Sequence, residues 1–155
     1  MKKVVSILLA LCATLVISAQ VPDFSGNWKL NSEKSKLNAE FSMAPLQLVI
    51  TQKGNDMSVE RHSEFQGEAV TMTDKFTLDG KECLNTGFMD TQKKSTAAWT
   101  EDKKSLKITT KIVLDDGNEI NISEVCKLDA GNLVIDSNSS SSWGDTAETH
   151  VYDKM

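Results

Sequence analysis

Three side chains that could do chemistry lie on one face near the end of the chain, where Glu148, His150 and Tyr152 occupy every second position. Every second residue of a β-strand points to the same side, so a strand here brings together a carboxylate, an imidazole and a phenol. Such groups serve in acid–base catalysis, and they also anchor the polar head of a bound ligand. This face is therefore the first candidate for a functional site.

Charged residues also interrupt apolar strand faces elsewhere, at Arg61, Asp74 and Glu124. Burying a charge is costly unless the charge is paired or hydrated. A barrel with a hydrated cavity would keep these residues to fix a ligand head group. The structural alternatives are that Arg61 pairs with Asp74 or Glu124, or that some of these faces point outward.

The sequence shows no convincing catalytic centre. It has no glycine-rich phosphate loop and no Gly-x-Ser-x-Gly nucleophile elbow. Its only histidines are His62 and His150, and no Cys or His pair has metal-ligand spacing. We therefore predict no catalytic residue, no metal and no cofactor. A hydrolase or isomerase that uses polar interior residues remains an alternative, because catalytic groups can be assembled in space.

The elements that must position these residues are β-strands. Apolar and polar residues alternate over residues 70–78, 106–114 and 120–128, and Gly, Asn and Asp cluster at 53–56, 79–81, 115–118 and 129–132. This pattern is typical of half-buried strands joined by tight hairpin turns. It predicts an all-β fold, an antiparallel up-and-down barrel of about eight to ten strands, with a β-sandwich as the alternative.

Two segments break the pattern. Residues 32–46 form the longest non-strand connection, which is expected to be one short helix or a loop across one mouth of the barrel. Residues 137–142, Ser-Asn-Ser-Ser-Ser-Ser, are typical of a flexible loop or a weak edge strand.

The beginning of the chain is typical of a secretory signal peptide. Lys2 and Lys3 precede an apolar run from residue 4 to residue 17, and small residues lead to a cleavage site after Ala19. The run is short for a membrane span, so a retained anchor is the weaker alternative. Lipidation at Cys12 is disfavoured because Leu11 stands where a small residue is expected. Residues 20–155 then form a single domain, secreted or periplasmic, with no membrane span after cleavage.

The mature chain is acidic. Its formal charge goes from −5 to −7 when Lys2 and Lys3 leave with the signal peptide. An acidic chain lacks the basic surface that nucleic acid requires, so no nucleic acid partner is expected. Export permits a disulfide between Cys83 and Cys126. The sequence alone does not decide whether this bond forms, because it does not give the distance between the two residues.

Several short motifs, in order along the chain, carry a resemblance to a known superfamily. Residues 24–30, Phe-Ser-Gly-Asn-Trp-Lys-Leu, resemble the Gly-x-Trp opening of the calycins, which include the lipocalins and the fatty-acid-binding proteins. Residues 50–55, 76–81 and 149–154 are similar to the fatty-acid-binding branch. The small exported lipocalin-like domains of bacteria are similar too. The resemblance implies a barrel in which Gly26 and Trp28 are structural.

The same resemblance implies an internal pocket for a lipid or another hydrophobic molecule. Fatty-acid binders hold the ligand carboxylate with an Arg-x-Tyr pair, whose Tyr matches Tyr152, whereas His150 stands where the Arg would be. A histidine would be a weaker and pH-sensitive anchor. Residues 32–46 are too short for the helix-turn-helix lid of that branch, which implies a more open or a filled pocket.

We expect a non-catalytic module that binds a small hydrophobic or amphipathic ligand inside an enclosed cavity. The expected ligand-binding residues on the cavity wall are Arg61, Trp99, His150 and Tyr152, and Trp99 could equally belong to the core. The alternative to small-ligand binding is a protein-interaction or inhibitor module that binds a partner protein through the loops of a barrel mouth. An exposed apolar patch at one mouth would favour that alternative.

Overall fold

The alternating segments fold into ten antiparallel strands, as the period-two pattern predicts. This computed structural model describes residues 20–155, and the predicted signal peptide, residues 1–19, lies outside the described residues. No helix in residues 20–155 is long and apolar enough to cross a membrane. The strands are β1 (Gly26–Leu30), β2 (Gln47–Lys53), β3 (Asp56–Phe65), β4 (Glu68–Thr77), β5 (Asp79–Thr86), β6 (Gln92–Trp99), β7 (Leu106–Val113), β8 (Glu119–Asp129), β9 (Asn132–Ser141) and β10 (Gly144–Lys154), with a 3₁₀ turn at Phe88–Asp90.

The strands form one continuous sheet in the order β4-β3-β2-β1-β10-β9-β8-β7-β6-β5. The first strand therefore pairs with the last, and the sheet curls into a nearly closed up-and-down barrel, not a two-sheet sandwich. Hairpins β3–β4, β5–β6, β7–β8 and β9–β10 and the β1–β2 connection lie at one end, called the open end. The other four turns lie at the closed end.

The barrel wall has one break, between β4 and β5, where no ladder of backbone hydrogen bonds joins the two strands. The side chain of Asn85 on β5 bridges it. Its Oδ1 accepts a hydrogen bond from the backbone N–H of Lys75 at 2.8 Å, and its Nδ2 donates to the Lys75 carbonyl at 3.0 Å. One amide thus takes the place of a pair of ladder hydrogen bonds.

The closed end is filled by a hydrophobic core. Trp28 is 2% exposed, and its indole N–H donates to the carbonyl of Phe24 at 2.9 Å. The Phe24 ring stacks on Trp99 with centroids 5.8 Å apart. Gly26 adopts a φ of 143°, and the side chain of Lys154 lies 3.1 Å from where a β-carbon would stand, so other residues would be strained there. Gly26 and Trp28 are therefore structural residues in this barrel.

The β1–β2 connection is a loop at the open end, where it is held to β10 and to β3. Lys36 forms an isolated bridge with Thr149 of β10, and the backbone N–H of Leu46 donates to the carbonyl of His62 at 2.8 Å. The loop alternative for residues 32–46 is therefore the one observed.

The serine-rich segment is not a loop or an edge strand. Residues 137–141 belong to β9, which pairs along its length with both β8 and β10. The prediction was wrong because it rested on composition, whereas ladders on both sides fix this strand. Hydrogen bonds between small hydroxyls add to them, such as the one between Ser139 Oγ and Thr146 Oγ1 at 2.9 Å.

The disulfide is not present, since Cys83 and Cys126 are both free thiols. Cys83 lies on β5 and Cys126 on β8, so two strands separate them in the sheet. Three strand spacings amount to about 14 Å, which is twice the separation that a disulfide can bridge.

Candidate functional site

A network of four charged side chains crosses the middle of the barrel. The guanidinium of Arg61 on β3 donates two hydrogen bonds to Glu124 on β8, at 3.2 and 2.9 Å, and one from Nε to Asp74 on β4 at 3.2 Å. The ammonium of Lys93 on β6 contacts the other oxygen of Asp74. We call Arg61, Asp74, Lys93 and Glu124 the charge network.

The charge network is balanced, with two cations facing two carboxylates whose side chains are 5–14% exposed. Burial alone would lower the pKa of Arg61, but the neighbouring carboxylates of Glu124 and Asp74 outweigh it and raise that pKa above its usual range. Each cation is already matched within the protein. An anionic ligand head group would have to displace a carboxylate to gain an ion pair here.

A second polar group lies on β10 toward the open end. The side chain of Glu148 is 8% exposed, and its Oε2 lies 3.0 Å from Nε2 of His150. Because a carboxylate only accepts, this ring nitrogen donates. The other oxygen accepts from the backbone N–H of Asn38 at 2.6 Å, which ties the β1–β2 connection to the wall. Burial alone would raise the pKa of Glu148, yet these hydrogen bonds lower it below 4.5.

A Glu148→Gln variant should lose stability in a pH-dependent way. The folded pKa of Glu148 is lowered from 4.5, so its contribution is complete above pH 4.5 and is lost as pH falls through the folded value. Hydrogen bonds to a charged group are worth about 1.5–3 kcal/mol, so we expect a loss of about 1–2 kcal/mol at pH 7 that shrinks below pH 4.5. Urea unfolding across this pH range measures it.

The matched control is Glu33→Gln, which changes an exposed carboxylate in the β1–β2 connection that Glu148 contacts. It should leave the free energy of unfolding within about 0.5 kcal/mol of the wild type. An equal loss for Glu148→Gln at pH 7 and pH 3 would contradict the assigned role of the Glu148 charge.

Tyr152 carries a buried hydroxyl without a partner. The residue is 0% exposed, and its Oη has no hydrogen-bond partner among residues 20–155. Its ring meets His150 edge-on, with centroids 6.4 Å apart. Burial raises the pKa of the phenol above its usual range, so the group stays a neutral donor near pH 7. An unsatisfied buried polar group costs about 1–3 kcal/mol, which an acceptor brought by a ligand or water would relieve.

The interior is filled on one side of the charge network and accessible on the other. At the closed end the remaining void is about 10 Å³, the space of about one water molecule, and it is lined by Arg61 and core side chains. Toward the open end the inward-facing residues are only half-buried: Met72, Thr110, Ile112, Ile120, Ile122, Ser139 and Thr146. The expected enclosed cavity is therefore replaced by a half-barrel open at one end, which we call the cup.

A larger depression is lined mostly by outward-facing residues of the wall, and it also borders Thr110, Ile122, Ser139 and Thr146 of the cup. It has a volume of about 750 Å³ and crosses strands β5 to β10. Thr96, Thr109, Ser123 and Asn138 are cross-strand neighbours in one outward-facing row along it. Their small side chains leave a hollow in the curved outer face, and we assign it to the solvated wall.

The structure brings together three of the four predicted ligand-binding residues. Arg61, His150 and Tyr152 all lie at the middle of the barrel, whereas Trp99 packs at the closed end against Phe24. Sequence reasoning missed Lys93. It shares an inward face with Ala97, so continuing the period-two reading down β6 would have found it.

Among residues 20–155 no group of three or more His, Cys, Asp or Glu side chains is placed to hold a metal ion. The thiol of Cys126 lies beside the charge network, and burial raises its pKa above its usual range. A thiol held in its protonated form is a poor nucleophile.

Comparison with known proteins finds similar folds among solved structures. No family model matches the chain, and the search of curated proteins finds no match. Among solved structures, zebrafish ileal bile acid-binding protein complexed with cholic acid is similar, with 18% identity, a TM-score of 0.60, and coverage of 85% of this chain and 98% of that one.

A secretory abundant heat soluble protein from Ramazzottius varieornatus is 14% identical, with a TM-score of 0.59 and coverage of 85% of this chain and 95% of that one. The fatty-acid-binding protein of Manduca sexta is 16% identical, covers 84% of this chain and 99% of that one, and has a TM-score of 0.49. The first two likenesses show the fold and confirm the predicted lipocalin-like barrel.

Proposed function

We propose that this calycin-type barrel binds a small, uncharged amphipathic molecule in its cup. The observation that carries the proposal is the half-exposed apolar inner wall, Met72, Ile112, Ile120 and Ile122, above a charge-balanced layer. An apolar lining with a few polar groups at its base is typical of small-molecule sites. The likeness in fold to a protein complexed with cholic acid supports the same class of function.

An uncharged ligand fits the base of the cup better than a fatty-acid carboxylate does. Both cations of the charge network face carboxylates, and His150 in place of an arginine is paired with Glu148. Tyr152 has a neutral hydroxyl donor without a partner, buried in the core cluster. A ligand hydroxyl or carbonyl oxygen would accept that hydrogen bond without separating an ion pair.

The ligand proposal is tested with two tryptophan substitutions on β8. Ile122→Trp fills the cup, whereas Asn121→Trp adds the same side chain to the outer face, because neighbouring residues of a strand point to opposite sides. Titration with the neutral probe Nile red should give a Kd at least about tenfold higher for Ile122→Trp, a loss of about 1.4 kcal/mol, and no change for Asn121→Trp.

Two results would overturn the proposal. One is a wild-type protein that binds no Nile red, and the other is an unchanged Kd in Ile122→Trp. Anilinonaphthalene sulfonate, which is anionic, should bind more weakly than Nile red if the balanced charges set the preference. Native mass spectrometry after incubation with lipid extract then identifies the natural ligand by its mass.

Export to the periplasm or to the exterior is part of the same proposal. It is supported by the predicted signal peptide of residues 1–19. Sequencing the N-terminus of the protein purified from its own cells should begin at Gln20. A protein that keeps Lys2 and Lys3 would contradict it.

A further inference from the structure

Exposed apolar side chains are concentrated at the open end of the barrel. The open-end loops comprise residues 38–46, 63–70, 84–94, 111–121 and 139–147. They hold nine of the eleven large hydrophobic residues exposed among residues 20–155: Phe41, Met43, Leu46, Phe65, Leu84, Phe88, Met89, Val113 and Trp143. The other two are Leu128 and Met155. A soluble surface rarely gathers apolar residues this way without a binding role.

Three of these residues form one patch beside the break in the wall. The rings of Phe65 and Phe88 pack with centroids 5.3 Å apart, and they are 44% and 45% exposed. Met89, the next residue, is 81% exposed. We call Phe65, Phe88 and Met89 the rim patch.

The backbone under the rim patch is strained. Met89 and Asp90 have φ values of 54° and 59°, the left-handed region that residues other than glycine rarely adopt. Such a conformation costs about 1–2 kcal/mol per residue. The β5–β6 hairpin thus holds the apolar side chain of Met89 in water at a cost in backbone conformation. Backbone strain of this kind is concentrated at functional sites.

The surroundings of the rim patch are strongly acidic. The open-end loops carry eight exposed carboxylates: Glu40, Glu64, Glu68, Asp90, Asp115, Asp116, Glu119 and Asp145. They carry only two exposed lysines, Lys94 and Lys111. A surface of this charge attracts a cationic partner and repels an anionic one.

We propose that the rim patch and the acidic open-end loops dock a basic amphipathic segment of another protein. The apolar face of such a segment would cover Phe65, Phe88 and Met89, and its lysines or arginines would face the carboxylates. A second copy of this chain is disfavoured because two acidic surfaces would meet. An anionic membrane is disfavoured for the same reason. This inference goes beyond ligand binding, since it concerns the outward face of the loops.

The test uses two synthetic peptides of about 18 residues, each with leucines at helical spacing on one face. One carries lysines on its other face, and the second carries glutamates. Fluorescence anisotropy should show binding of the lysine peptide to the wild-type protein. Phe88→Ser with Met89→Ser should raise its Kd at least about tenfold, and so should Glu64→Lys with Asp90→Lys.

The matched controls make the same two kinds of substitution, apolar to serine and carboxylate to lysine, at the closed end. Leu128→Ser and Asp129→Lys should leave the Kd of the lysine peptide unchanged, because these exposed residues lie at the opposite end. Equal weakening by the closed-end variants, equal binding of the glutamate peptide, or no binding of the lysine peptide would overturn the proposal. So would dimerisation of the wild type that the rim variants abolish. The Ile122→Trp protein, which should lose binding of Nile red, should bind the lysine peptide as the wild type does. Failure of the docking proposal can therefore be told apart from failure of the ligand proposal.

Discussion

A Glu124→Met variant should lose about 3 kcal/mol of unfolding free energy, whereas Arg61→Met combined with Glu124→Met should lose much less. Removing Glu124 alone leaves two largely buried cations, Arg61 and Lys93, that share the single carboxylate of Asp74. Breaking a buried ion pair in this way costs about 3–5 kcal/mol. Removing both members leaves Lys93 paired with Asp74. Urea unfolding of the four proteins in the cycle measures the difference.

The coupling between the two substitutions should be about 2 kcal/mol. The control cycle uses Lys34 and Asp153, which form an ion pair at 2.8 Å with about half of each side chain exposed. Exposed pairs are worth about 0.2–1 kcal/mol, so this cycle should show little coupling. If the double variant at positions 61 and 124 is no more stable than Glu124→Met, the pairwise balance of the charge network is refuted.

A Trp28→Ala variant should lose about 4 kcal/mol, because a 2% exposed indole fills the closed end of the barrel. Its loss opens a cavity and also leaves the carbonyl of Phe24 without its indole donor. We expect a fall in the midpoint of urea unfolding with little change in the slope.

Trp143→Ala is the matched control, since it removes the same side chain from a site that is 67% exposed. Its effect should stay within about 0.5 kcal/mol. Equal losses for the two variants would mean that Trp28 is not part of the core.

The strands could be predicted from sequence because most apolar residues of a half-buried strand lie at alternate positions that face the core. The alternation of residues 106–114 and 120–128 is reproduced in β7 and β8, where Leu106 and Ile108 face inward. The same rule placed Arg61, Asp74 and Glu124 on inward faces, and these residues are indeed paired with one another.

The features that could not be predicted depend on contacts between residues far apart in the sequence, which the alternation of apolar and polar residues does not specify. Lys93 reaches Asp74 because the barrel brings β6 close to β4, and no local pattern signals this pairing. The filled closed end follows from the stacking of Phe24 on Trp99, which are far apart in the chain. Residues 137–141 form a strand despite their serine-rich composition, because they pair with β8 on one side and β10 on the other.

The bridge at Asn85 makes part of the contact between β4 and β5 depend on the chemistry of one amide. Asparagine both donates and accepts, whereas an aspartate accepts only, so deamidation would remove the donor to the Lys75 carbonyl and set a negative charge against that oxygen. Slow deamidation of this residue would therefore remove one of the contacts between β4 and β5 and leave the hydrogen bond from the Thr77 N–H to Cys83 Sγ at 3.3 Å. The break between β4 and β5 is thus a place where a hydrolysis reaction, as well as the folding equilibrium, would change the hydrogen bonding of the wall.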